Sequence, residues 1–96
     1  MLFAIICNDK ADHLQLRLDT RAAHLEYLKS LGDNIKFGGP FLSDVDQKPH
    51  GSMLMVEAET LDAAKAIAAA DPYALAGLFD NVSVRAWNWV INKPAE

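Results

Sequence analysis

Met1-Leu2-Phe3-Ala4-Ile5-Ile6-Cys7-Asn8 decides the fold, because its apolar side chains fall on both faces of one strand. The run is short and closed at once by Asn8, Asp9 and Lys10, which marks a buried strand over residues 1–8. Successive strand side chains point to opposite faces, so Leu2, Ala4 and Ile6 oppose Phe3, Ile5 and Cys7. A strand with one wet face alternates apolar and polar residues, and this one does not. Residues 51–58 repeat the pattern, with Met53 and Met55 opposite Leu54 and Val56. In a strand over 81–90, Val82, Val84, Ala86 and Val90 share one face, while Trp87 and Trp89 share the other with Ser83 and Arg85.

Between these strands the period changes. Residues 12–31 read as a helix with Asp12 as N-cap and an apolar stripe of Leu14, Leu18, Leu25 and Leu28. Gly32, Asp33 and Asn34 end it. Residues 35–42 read as a strand containing Gly38-Gly39-Pro40, which places it at a sheet edge and bends it. Ser43 to His50 is a polar turn. Thr60 caps a second helix, 61–70, rich in alanine. Asp71-Pro72 ends that helix, and a short helical turn over 72–78 follows. The tail, 92–96, reads as loose.

The order β-α-β-β-α-β with right-handed crossovers gives the ferredoxin-like α+β topology. It forms a four-stranded antiparallel sheet with two helices on one face. Those helices cannot cover both apolar faces. The second face calls for another layer, and a second copy of the chain supplies it, giving a homodimer through the open sheet face.

The 96 residues suit a single domain spanning 1–96. A net charge of −4 and nine scattered basic residues argue against nucleic acid. Cys7 is the one cysteine and has no partner for a disulfide or a metal site, so a reducing compartment is the simplest reading. The opening apolar run is too short for a signal peptide or a membrane span, and the protein reads as cytoplasmic. His13, His24 and His50 are spread out, Gly38-Gly39-Pro40 lacks phosphate-loop spacing, and no Gly-x-Ser-x-Gly elbow occurs. Neither a metal nor another cofactor is expected.

The residues that could carry chemistry begin on the first helix. Arg17, Arg21 and His24 lie together on the flank of the leucine stripe, and Arg21 interrupts it. An arginine turned towards a core edge wants a carboxylate or a ligand anion, so the trio suits an acidic or phenolic small molecule. It is equally a description of a solvated boundary with snorkelling arginines. Asp71 could fix the tautomer of a histidine and raise its basicity. Asp71-Pro72 is also a standard helix start, with a second carboxylate oxygen left free. Ser52 and Tyr73 are possible hydrogen-bond donors to a ligand. Trp87 and Trp89 suit dimer packing better than a pocket. Cys7 reads as a buried strand residue whose apolar surroundings raise its pKa.

Arg17-x-x-x-Arg21-x-x-His24-Leu25, Gly39-Pro40, Gly51-Ser52, Ala70-Asp71-Pro72-Tyr73, Gly77-Leu78-Phe79 and Trp87-Asn88-Trp89, in that order, resemble the YciI-like (YCII-related) family. The resemblance covers essentially the whole chain. It implies a ferredoxin-like fold of the dimeric α+β barrel group. It also implies a proposed active site centred on a histidine and an aspartate, here His24 and Asp71. Two functions follow as expectations. One is a cofactor-independent enzyme that moves protons on a small molecule: an isomerase, lyase or dehydrohalogenase. The other is a non-catalytic dimeric module that binds a metabolite or a partner.

Overall fold

The computed structural model of the protein describes residues 1–95. Along it run β1 (Leu2–Asp9), α1 (Leu14–Ser30), a 3-10 turn (Gly32–Asn34), β2 (Ile35–Leu42), β3 (Pro49–Glu57), α2 (Leu61–Ala69), α3 (Pro72–Leu75) and β4 (Phe79–Trp87). The strands pair antiparallel in the order β2-β3-β1-β4, the ferredoxin-like arrangement. The two strands with apolar residues on both faces, β1 and β3, take the centre. β2 lies at an edge, where Pro40 breaks no ladder by lacking an N–H. It bends where its register shifts, between Ile35 and Phe37 and again between Phe41 and Leu42. The expected loose tail over 92–96 includes Glu96, which lies outside the described residues.

Cross-strand partners share a face, so the register sorts the sheet into two sides. Phe3, Ile5 and Cys7 face the helices with Leu54 and Val56. They pack against Ala64 and Ala68 of α2, whose small side chains let that helix lie close. Gly51 sits where β1 crowds β3: a Cβ there would come 2.6 Å from the Cys7 carbonyl oxygen. Gly32 takes φ +56° and turns the chain out of α1, as its position after the leucine stripe suggested.

Two expectations for α1 are corrected. Asp12 is not its N-cap. Asp12 adopts φ +61°, a left-handed conformation that aspartate tolerates, and the cap position falls to His13, which makes no capping hydrogen bond. Nor is the leucine stripe the most buried line of the helix: Leu28 packs against the core, but the stripe's middle does not. The buried residues of α1 are Arg17 and His24, whereas Leu18 and Leu25 are 51% and 46% exposed. Long-range polar partners turn the helix, and periodicity along a helix carries no information about those.

On the side without helices lie Leu2, Ala4, Ile6, Met53 and Met55. Part of this face is covered by the chain itself. Phe37 of β2 meets Trp89 edge-on at 5.2 Å and Trp87 at 6.3 Å, although β2 and β4 are opposite edges of the sheet. Trp89 lies past the end of β4, and its indole N–H donates to the Ile91 carbonyl at 2.8 Å. Met55, the cross-strand partner of Phe37, is buried.

Candidate functional site

α1 carries Arg17, Arg21 and His24 at spacings of four and three, so one helical face presents all three. Arg17 Nε donates to Asp9 Oδ2 at 2.6 Å, and Nη2 donates to Asp9 Oδ1 and to Ser52 Oγ, each at 2.9 Å. Both side chains of this bidentate pair are 5% exposed. Burial works against the Arg17 charge. The hydrogen bond and charge of Asp9, helped by Tyr73, outweigh it and raise the guanidinium's pKa above its ordinary value.

Asp9 was missed in the sequence. A signal for it exists: Phe3, Ile5, Cys7 and Asp9 continue one alternation, which brings the carboxylate to the helix side at the end of β1.

His24 Nδ1 lies 2.8 Å from Asp71 Oδ1, with the two side chains 9% and 4% exposed. The same oxygen accepts the backbone N–H of Tyr73 at 2.9 Å, capping α3. The expectation that cap and histidine would use different oxygens is therefore corrected: Oδ1 serves both. A carboxylate oxygen that also takes an amide N–H can only accept, so Nδ1 is the donor to it, and in the neutral ring that tautomer places the lone pair on Nε2. Nε2 makes no hydrogen bond, yet no fully buried side-chain nitrogen or oxygen among the described residues lacks one. Nε2 therefore reaches open space.

Tyr73 ties the two pairs together. Its ring stacks on His24 at 4.0 Å and 17°, and the Arg17 guanidinium lies 4.5 Å from the ring centroid. Arg17 and His24 are seven residues apart, ~10.5 Å along a helix, which leaves room for one ring between them. Burial raises the Tyr73 pKa; Arg17 and Arg21 oppose this, and Asp71 adds to it. Tyr27, whose hydroxyl donates to the Ile67 carbonyl at 2.7 Å, is raised by burial and then by Asp71. Burial, reinforced by Asp71, pushes the Cys7 thiol up to about 12.

A cavity of about 250 Å³ opens beside this cluster, between α1 and the β2–β3 edge of the sheet. Arg17, Arg21, His24, Ser52 and Tyr73 line it, with Gly38-Gly39-Pro40 as the far wall and Leu18, Leu25 and Leu28 completing it. Asp71 stands behind His24 and does not reach the wall. Five of the six residues singled out in the sequence thus meet around one space. Trp87 and Trp89 do not; they line a separate cleft of about 630 Å³ on the helix-free side. Among the described residues no three His, Cys, Asp or Glu side chains converge as metal ligands, and no helix is long and apolar enough to cross a membrane.

Fold and site define a class: small ferredoxin-like α+β domains with a buried His–Asp pair between the first helix and a short helix before the last strand. Within it, the YCII-related domain model matches residues 1–88, and the chain belongs to that family. Protein YciI of Escherichia coli is 41% identical over 92 residues, covering 88% of this chain and 94% of that protein. The solved structure of 5-chloro-2-hydroxyhydroquinone dehydrochlorinase (TftG) from Burkholderia phenoliruptrix, in complex with 2,5-dihydroxybenzoquinone, is similar with a TM-score of 0.84 and 40% identity, covering 92% of this chain and 94% of that one. A NIPSNAP family protein from Agrobacterium tumefaciens, at a TM-score of 0.58 and 15% identity over 99% and 97% of the two chains, shares the fold alone.

Proposed function

We propose that this protein is a cofactor-independent enzyme that moves a proton on a small molecule, with His24 as the base. One observation carries the reading: the 2.8 Å bond from His24 Nδ1 to a carboxylate that is itself fixed by a helix N–H. Asp71 orients the imidazole and stabilises the imidazolium that forms when Nε2 takes a proton. The proton comes from a position next to an electron-withdrawing group. The charge left behind spreads onto an oxygen, which an arginine of the cavity, Arg17 or Arg21, stabilises. Isomerisation, elimination and dehydrohalogenation all begin with this step. A dehydrochlorinase among the relatives supports the last of these, and its quinone ligand supports a ring-sized substrate. Ser52 and Tyr73 line the site and hold Arg17 in place.

The protein works as a homodimer joined through the helix-free face, whose Leu2, Ala4, Ile6 and Met53 no helix covers. Sedimentation equilibrium checks this: a monomeric mass at micromolar concentration sinks the dimer. The enzymatic reading is tested in deuterated buffer with a panel of phenols, lactones and enolisable acids. Wild-type protein is expected to wash deuterium into a substrate, or to convert it, and His24→Ala to lose that activity. Full activity of His24→Ala on a verified substrate overturns the assignment.

A further inference from the structure

Arg17 and Arg21 both line the cavity, but their electrostatic states differ. Arg17 is 4% exposed, and two of its three nitrogens are committed to Asp9 and Ser52. Asp9 matches its charge one for one. Arg21 is exposed and belongs to none of the three ion pairs among the described residues. Asp71, the other carboxylate nearby, is engaged by His24 and the Tyr73 amide and does not reach the cavity wall. The unmatched cation of the cavity is therefore Arg21.

Position adds to charge. Arg21 precedes His24 by three residues, which sets their Cβ atoms ~5–6 Å apart on one helical face. Because both side chains line one cavity, a ring whose anionic group meets the Arg21 guanidinium shares that space with His24. The cavity, about 250 Å³, is smaller than the ~300–1,000 Å³ of sites for drug-sized ligands and fits one substituted ring. Leu18, Leu25 and Pro40 give that ring apolar walls.

We propose that the site is built for a ring-sized anion, and that Arg21 is the specificity-determining residue that recognises its carboxylate or phenolate substituent. Arg17, locked by Asp9, is a fixed part of the wall. This inference rests on the reading of His24 as the base facing the cavity.

The test uses two probes that differ by one charge, 2,5-dihydroxybenzoate and neutral hydroquinone. Each is titrated at pH 7 into protein labelled with nitrogen-15 in the histidine rings. Both are expected to shift the His24 ring resonances, with the carboxylate probe binding about tenfold or more tightly, the scale of one charge-assisted hydrogen bond. Arg21→Gln is expected to erase that preference by weakening the carboxylate probe about tenfold or more relative to hydroquinone, and Arg21→Lys to restore part of it. An unchanged preference in Arg21→Gln, or an equal loss for both probes, overturns the role of Arg21 and leaves the His24 reading standing. Failure of both probes to perturb His24 overturns the cavity reading and the inference together.

Discussion

The two sides of the sheet break the ordinary rule of burial in opposite senses. Behind α1, four polar residues, Arg17, His24, Ser52 and Asp71, are buried at 3–7% exposure, with three of them showing one edge to the cavity. On the helix-free side, Trp87 and Phe41 stand 40% and 37% exposed over a cleft and sheet surface that no helix covers. The buried side compensates internally, since no fully buried side-chain nitrogen or oxygen there lacks a partner. The apolar side carries its own Phe37–Trp87–Trp89 cluster. A satisfied polar network in the interior costs little to keep and presents ordered groups to a cavity. An apolar surface left in water is lowered in free energy only by covering it. The proposed chemistry and the proposed homodimer thus call on opposite faces of this sheet.

The largest effect should come from Asp9→Ala, which leaves the Arg17 cation buried without its carboxylate. A loss of about 3–5 kcal/mol is expected in urea unfolding. A loss below ~1 kcal/mol would mean that Arg17 simply swings out, and the contrast between the faces would break. Asp71→Asn sharpens it instead. Asparagine caps a helix as well as aspartate, so stability should hold within ~1 kcal/mol. The negative charge beside His24 is lost, so turnover should fall ~100-fold or more. Equal, small effects on both would reduce Asp71 to a cap. On the other face, Trp89→Ala should cost about 1 kcal/mol of thermal stability, the worth of its aromatic contacts, and leave ligand binding at the cavity unchanged.

The smallest effect at neutral pH belongs to Cys7. Its thiol value is raised from 9.0 to about 12, so the folded chain keeps the proton longer than the unfolded chain does. Below pH 9 the contribution is complete; from pH 9 towards 12 the unfolded thiol ionises first and stability falls. Urea midpoints at pH 8 and pH 10 should drop further for wild type than for Cys7→Ala. Rapid alkylation of the native thiol at pH 8 would show that it is not buried.

The double-faced character of β1 and β3 and the edge position of β2 were legible because each rests on local pattern: apolar runs without alternation, and proline inside a strand. The residues 35–42 assigned to β2 match its observed limits. His24 and Asp71 stood out only by helix flank and by family resemblance. Their contact joins residues 47 apart, and no local rule reports that. The inward turn of α1 was illegible for the same reason. Four leucines on one stripe describe an amphipathic helix, and partners on other elements, Asp9, Ser52 and Tyr73, explain why Arg17 lies buried. The tryptophans were separated from the site by register: Trp87 pairs with Leu2, on the face away from His24.

The sharing of one oxygen, Asp71 Oδ1, between the His24 ring and the Tyr73 amide makes the site observable without a substrate. α3 has four residues, too few to persist without packing, so its capping hydrogen bond depends on the structure around it. Each opening detaches the Tyr73 N–H from the oxygen that also holds His24. The exchange rate of that single amide with deuterated water therefore reports how often the oxygen that holds His24 gives up its other partner. A protection factor read at Tyr73 becomes a measure of how steadily the cap of α3 holds beside His24.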